Sequence, residues 1–394
     1  MKKFFYENAP SGWRITFLTL LLLWCASLFF KNAVYQISFA ALNLFFLAHL
    51  LYFKNYAILS EIFKKTRFIA ICFIFVVATL AISNILNEAV ISKKAWQSTL
   101  FFILRYGTIF LALCYFYKLK FFDQNAVFAF LFVGLGILSV SVIYQFASSS
   151  DAIVFSSDSV RGGLSGALSN RNILGLFMGF GLCLSAVAIR RPLSLKFAAL
   201  FLFAFFMIFS FSRAAWVGAF CALAFYGALN LKSLNKKYLL FTIGFIAIFA
   251  VLLVLSPSFE QRLAALFSGD SSGRTVIWSY ILEMAQEKPI LGYGLGSYIN
   301  LPGSPVLEHP EYNAPHNLFL EILLYSGALG LIFYGAILFS VFKECVQSRQ
   351  FGVLTLMIYL LIDCQFDHGA YLSKEALSLA TILSFLAYRM RIER

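Results

Sequence analysis

SPSFEQRLAALFSGDSSGRTVIWSYILEMAQEKPILGYGLGSYINLPGSPVLEHPEYNAPHNLFLE, residues 256–321, is the longest polar interruption in an otherwise oily chain. It holds Arg262, Arg274, His309 and His316 among repeated Gly and Pro. A loop of this length between elements is usually functional when it is ordered. On both sides the sequence returns to apolar runs of roughly 18 residues or more, each long enough to cross a bilayer core. The reading of this stretch decides the fold: membrane helices that carry one large loop.

Composition agrees. The chain has 394 residues, 61% hydrophobic and 12% charged, with a mean hydropathy of +0.83. A soluble domain carries about 25% charged residues. A transmembrane β-barrel would show shorter alternating segments, and none appears. The expected fold is an all-α polytopic integral membrane protein, one membrane domain over residues 1–394. Twelve spans are predicted, at 13–30, 33–53, 67–87, 98–118, 124–147, 172–190, 195–212, 213–230, 238–256, 316–342, 351–367 and 372–390. The first run lacks a small-residue cleavage site and reads as a retained span. The seven cysteines have no metal-ligand spacing, and most sit in apolar runs as small hydrophobes.

Even parity puts both termini on one side. With that side cytoplasmic, the inner segments hold 20 of the 31 basic residues and five of the 18 acids, as the positive-inside rule requires. The net charge of +13 is then a topology signal and argues against a nucleic-acid partner. Two long loops fall outside: 148–171, and 257–315 between spans nine and ten. Function is therefore expected to face outward. No internal repeat is evident, which weakens an inverted-repeat transporter.

Within the large loop, Ser271-Ser272-Gly273-Arg274 precedes an apolar pattern at Ile277, Trp278, Ile281, Leu282 and Ala285. This predicts a short amphipathic helix on the membrane, with Arg274 in its first turn and Pro289 at its end. The Gly-rich run Gly292–Ser297 lacks a Lys-Ser/Thr ending, so it is not a nucleotide phosphate loop, and its plain reading is a tight turn. In Ala314-Pro315-His316-Asn317, Pro315 suits a first helical turn. His316 is then expected at the start of span ten, where a helix N-terminus attracts anions. A neutral imidazole there can act as a base, or can simply cap the helix. Glu321 lies four residues beyond Asn317, on the same helix face.

Arg213, between two apolar runs, falls at the outer membrane edge, where an arginine is a functional candidate by default. Arg161 leads toward Asn170-Arg171-Asn172 at the start of span six. Arg105, inside span four, is expected to be structural, paired with an acid such as Asp363 or Asp367. Outward guanidinium groups near a histidine suit a phosphorylated substrate, which arginine binds bidentately. The outer acids are scattered, so no metal and no cofactor are expected.

These pieces, in this order, resemble the O-antigen ligase and O-antigen polymerase family of bacterial inner membranes. The matching segments are Arg161–Gly166 with Asn170 and Asn172, Phe211-Ser212-Arg213 with Trp216, Gly273-Arg274 with Trp278, Lys288–Gly294, and Pro315-His316-Asn317 with Glu321, Gly327 and Gly330. They cover about residues 160–345. Such proteins often carry Pro between the two Asn, where this chain has Arg171.

The resemblance implies a GT-C-like membrane glycosyltransferase with a periplasmic site. Its donor would be a glycan on undecaprenyl diphosphate, and its acceptor a sugar hydroxyl of lipid A–core. His316, Arg274 and Arg213 are then the expected catalytic residues. Arg161, Asn170, Asn172, Trp278, Tyr293, Asn317 and Glu321 are the expected substrate-binding ones. Trp278 and Tyr293 read equally as interface aromatics. Ligase ranks first and polymerase second. Protein-directed relatives commonly carry an extra C-terminal region, so a protein O-oligosaccharyltransferase ranks lower, as does a lipid-linked glycan flippase.

Overall fold

In a bilayer core every backbone N–H and C=O must be satisfied within the spanning segment, so a long apolar run becomes a helix. The computed structural model describes residues 11–30, 32–148, 163–168, 170–230, 273–367, 369 and 371–394, with single positions at 244, 247, 251 and 264. Among the described residues the regular structure is helical, without a strand.

The main helices are α1 (Ser11–Ser27), α2 (Asn32–Phe53), α3 (Tyr56–Leu86), α4 (Ala95–Lys118), α5 (Gln124–Ser148) and α6 (Arg171–Ala188). They continue with α7 (Leu193–Phe209), α8 (Arg213–Leu229), α9 (Arg274–Glu287), α10 (Leu318–Gln347), α11 (Phe351–Asp363) and α12 (Lys374–Glu393). Six of these are long and apolar enough to cross a membrane, and four shorter apolar helices accompany them. Eleven predicted spans correspond to α1–α8 and α10–α12. The ninth, 238–256, lies outside the described residues except at 244, 247 and 251, which are helical.

Several boundaries differ from expectation. α3 begins at Tyr56, not 67, so its 31 residues extend about 46 Å against a core of about 30 Å. Its early turns therefore carry Glu61, Lys64, Lys65 and Arg67 beyond the apolar layer. α7 stops at Phe209, because Phe211 takes a left-handed φ of 55° and the Ser212 side chain caps α8. α11 stops at Asp363, leaving an irregular segment before α12.

Many faces are apolar both inward and outward. On α3, Ile69, Cys72 and Val76 are buried while Ile71, Ile74 and Phe75 are exposed. A helix apolar all round belongs in lipid or a large core. Six of the cysteines are buried and Cys221 is half-buried, with no disulfide.

Basic residues collect at one end of the bundle. Glu61 holds Lys65 at 2.6 Å and Lys118 at 2.9 Å. Both lysines also reach the Ile392 carbonyl at the end of α12. Arg391 pairs with Glu344 near the end of α10 at 3.4 Å.

The opposite end is built around a break in α10. Gly327 leaves the helical region at φ 63° and ψ −166°. The segment 288–295 wedges into that break. Tyr293 N donates to Leu324 O (2.8 Å) and Gly294 N to Tyr325 O (3.0 Å), while Ala328 N donates to Pro289 O (2.8 Å) and Leu329 N to Ile290 O (3.2 Å). Backbone groups freed by the kink are thus answered, as a membrane-embedded break demands. The end of α3 clamps the other side of the wedge. Ser83 donates to the Leu291 carbonyl, Asn87 donates to Gly292 O (3.2 Å), and Asn84 accepts from Leu295 N (2.8 Å). Gly292, at φ 68°, has no room for a Cβ, which would sit 2.5 Å from Leu324 O.

Candidate active site

The wedge delivers the chain from α9 to α10, and the residues of interest flank it. Gly273, not a serine, stands at the cap position of α9. Gly273 adopts φ 81°, and a Cβ there would strike the Tyr312 ring. Arg274 is the first helical residue. Its Nε donates to the Phe366 carbonyl, and its Nη2 lies 3.9 Å from Asp367 Oδ1.

His316 is not in the first turn of α10, because Pro315 lies outside the helix. Asn317 is the cap: its Oδ1 accepts from Phe319 N and Leu320 N, both at 3.0 Å, and its Nδ2 donates to Gln365 O. His316 therefore precedes the cap, at a left-handed φ of 51°. Its Nδ1 lies 3.3 Å from both the carbonyl oxygen and Oδ1 of Asp367. Both neighbours are acceptors, so Nδ1 carries the proton in the neutral ring and Nε2 keeps a lone pair.

Asp367 thus joins Arg274 and His316. It belongs to the irregular segment after α11, which sequence reasoning treated as the tail of a span. Asp363 and Asp367 were expected as partners for Arg105. Arg105 instead packs its guanidinium over the rings of Tyr35, Phe39 and Phe101. Asp363 lies within electrostatic range of Asp367 and Arg274. The available signal was two acids, four residues apart, at the end of an apolar run, where an ionisable group is costly without a task.

Arg213 begins α8 at the same end. α6 and α11 run antiparallel, since Tyr359 OH donates to Gly175 O (3.2 Å) and Leu176 O (2.8 Å) while Gly352 abuts Val187. Gly175 in turn abuts Ser212, and Gly218 abuts Tyr359. Five residues back from Gly218 is Arg213, and four on from Tyr359 is Asp363. At about 1.5 Å per residue both stand at one level. α6, α8, α9, α10 and α12 all begin at this end, so their positive dipole ends share it.

Other candidates have defined neighbours. Asn170 caps α6, its Oδ1 accepting from Asn172 N (2.8 Å) and Ile173 N (3.4 Å). Glu321 is buried and accepts from Tyr371 N (2.9 Å). Tyr293 is buried, donates to Glu287 and lies under the Lys288 ammonium. Trp278 Nε1 donates to Pro315 O (3.2 Å), tying α9 to the residue before His316. Burial, with Glu287 and Glu283 nearby, pushes the Tyr280 hydroxyl up to about 12, so it stays a neutral donor to Pro302 O at 2.9 Å. Arg161 lies outside the described residues. Its neighbour Gly163 sits against Ser210 O, Phe211 and the Arg171 stem.

Arg213, Arg274 and His316 all lie inside one matched segment. Residues 198–335 match the O-antigen ligase family. A Rickettsia conorii protein provisionally named polysaccharide ligase is 31% identical over 97 residues, 22% of this chain and 24% of the relative. A Rickettsia felis protein of the same name is 30% identical over 97 residues, with the same shares. A third, from Rickettsia typhi, is 34% identical over 79 residues, 18% of this chain and 20% of the relative. The chain thus aligns with no more than a quarter of the length of these curated relatives. The all-helical, multi-pass fold agrees with the O-antigen ligase match. Asp363 and Asp367 lie beyond the matched segment.

Proposed function

We propose that this protein transfers a preassembled glycan from undecaprenyl diphosphate to a sugar hydroxyl of lipid A–core, at the periplasmic face of a bacterial inner membrane. The observation that carries the reading is the Arg274–Asp367–His316 constellation at the end of the bundle opposite the basic cluster. By the positive-inside rule that basic end is cytoplasmic, with both termini.

Breaking the anomeric carbon–oxygen bond releases a lipid diphosphate, so the main demand is to hold developing negative charge. Arg274 and Arg213 meet it, helped by Arg161 and by the helix N-termini gathered at this end. His316, with Nδ1 directed at Asp367, presents Nε2 to the acceptor hydroxyl. As the hydroxyl oxygen bonds to the anomeric carbon, its proton passes to Nε2 and the bond to the diphosphate breaks. A positioned base of this kind contributes about 10²–10⁴-fold. Attack opposite the leaving group inverts the anomeric centre, in the manner of a GT-C enzyme. Asn170, Asn172, Asn317, Glu321, Tyr293 and Trp278 shape and hold the cleft.

The test is reconstitution with a defined undecaprenyl-diphosphate glycan, offering lipid A–core or a second donor lipid. Glycosylated lipid A–core supports the proposal. Elongated donor identifies a polymerase instead. No product with either points to a protein acceptor or to transport.

A further inference from the structure

A second charged cluster lies near the same end of the bundle, between α2, α4 and α12, and the proposed transfer does not use it. Arg105, Lys374 and Glu375 are 6%, 8% and 8% exposed. Arg105 sits in a π-helical turn, Ile103–Thr108, that interrupts α4. Such turns are rare and concentrate at functional positions. The Arg105 guanidinium lies 5.4 Å from the Tyr35 ring, and the Lys374 ammonium lies 5.4 Å from the same ring. Tyr35 OH is 2.7 Å from Ser378 Oγ, and Thr381 Oγ1 donates to Arg105 O, so α12 is pinned to both cations' surroundings.

The charges do not balance. Lys374 meets Glu375 at 3.6 Å and donates to Phe30 O at 3.0 Å. Arg105 has no acid within ion-pair distance among the described residues, and its buried Nε has no hydrogen-bond partner. The cluster thus holds two cations and one carboxylate, which pairs with Lys374. Lys374 also stands in the first turn of α12, where the helix dipole opposes a positive charge. Excess buried charge at membrane depth is costly unless something neutralises it. The Lys374 side of the cluster lies at the end of the bundle: Phe30 follows α1, Tyr35 is in the first turn of α2, and Lys374 opens α12. Arg105 lies ten residues into α4, and its guanidinium reaches back toward Phe101 and Tyr35. Val34 and Ile37 of α2 and Leu100 of α4 are exposed beside it, an apolar surface for acyl chains.

We propose that Arg105 and Lys374 form an anion site for the phosphate group of a membrane lipid, separate from the Arg274–His316 site. Arg105 supplies the planar donor set that matches phosphate oxygens, Lys374 the second charge, and the N-terminus of α12 free N–H groups. The aromatic rings hold the guanidinium in place.

The test uses the full-length protein in lipid nanodiscs containing phosphatidylglycerol or diacylglycerol, extracted for native mass spectrometry. The wild type should retain phosphatidylglycerol over diacylglycerol by about tenfold or more, the worth of a charged hydrogen bond. Arg105→Met and Lys374→Gln should lose that preference, and Arg105→Lys should keep part of it. Lys374 stands at the start of α12, so its variant guards against an Arg105→Met that fails to fold. A wild type without preference, or a Lys374→Gln protein with full preference, overturns the proposal. Phosphorylated lipid A–core and the same lipid stripped of phosphate then separate the sources. Displacement of phosphatidylglycerol by the phosphorylated form alone assigns the site to that phosphate. No displacement by either assigns it to bulk phospholipid. Retention does not depend on transfer, so its failure leaves the proposed activity standing.

Discussion

His316 Nδ1 lies 3.3 Å from Asp367 Oδ1. That contact fixes which nitrogen of the neutral imidazole keeps its lone pair. Asp367→Asn keeps the shape but can present an N–H to Nδ1 and so favour the wrong tautomer. Transfer should fall by about 10²–10⁴-fold, the range expected of a positioned base. His316→Ala should fall as far, and the double variant little further, since residues acting as one unit are not additive. Initial rates with a defined lipid-linked donor check this. A double variant losing the product of the two single effects would separate the residues.

Arg274 makes two contacts at once, donating Nε to the Phe366 carbonyl while Nη2 faces Asp367. A lysine offers one compact ammonium and cannot span both while also gripping phosphate oxygens. Arg274→Lys should retain no more than about a tenth of the wild-type rate, one charged hydrogen bond's worth. The loss should appear in kcat/KM, with the protein still folded by size-exclusion chromatography. Near-normal kcat/KM in the lysine variant would remove bidentate phosphate contact from the mechanism.

The membrane class was legible because apolar runs and charge asymmetry are properties of composition and order alone. Arg274 at the start of a short helix was legible too, from the apolar spacing at Ile277, Ile281 and Ala285. The cap was not: Gly273 replaces a serine because Tyr312, 39 residues away, packs on its bare Cα, a contact no local pattern encodes. His316 stands out in the sequence, but Asp367, which its Nδ1 faces, does not, since it lies 51 residues on in what read as the end of a span. Arg213 and Asp363 stand at one level only because α8 and α11 are both fastened to α6 through Gly218, Tyr359 and Gly175. The Gly292–Ser297 run, whose first residues belong to the wedge, read as a plain turn. Its task, answering the backbone of a broken α10, depends on a kink that a helical apolar pattern conceals.

That task makes a sharp stability prediction. Gly292→Ala places a Cβ 2.5 Å from Leu324 O at a φ of 68°. The left-handed backbone alone costs about 1–2 kcal/mol, and displacement of the wedge adds to it. Gly335→Ala, on α10 with open space around its Cβ, should instead be neutral or stabilising by up to about 1 kcal/mol. Thermal unfolding of the detergent-solubilised proteins should show a Tm several degrees lower for Gly292→Ala alone. Equal Tm values would mean that the wedge does not support α10.

Chelation tests the proposed electrostatics. Asp367 directs a carboxylate oxygen toward both Arg274 and His316, and Glu321 is engaged by Tyr371 N. Carboxylates held this way are poor candidates for a divalent ion, which would have to displace the guanidinium or the imidazole. Arginine side chains and helix N-termini are proposed to hold the diphosphate in its place. Transfer by the purified protein should therefore proceed at an unchanged rate in excess EDTA. It should also be insensitive to added magnesium or manganese. A rate abolished by EDTA and restored by one of these ions would transfer the leaving-group role from the arginines to a metal. Asp367 and Glu321 would then have to be reconsidered as ligands.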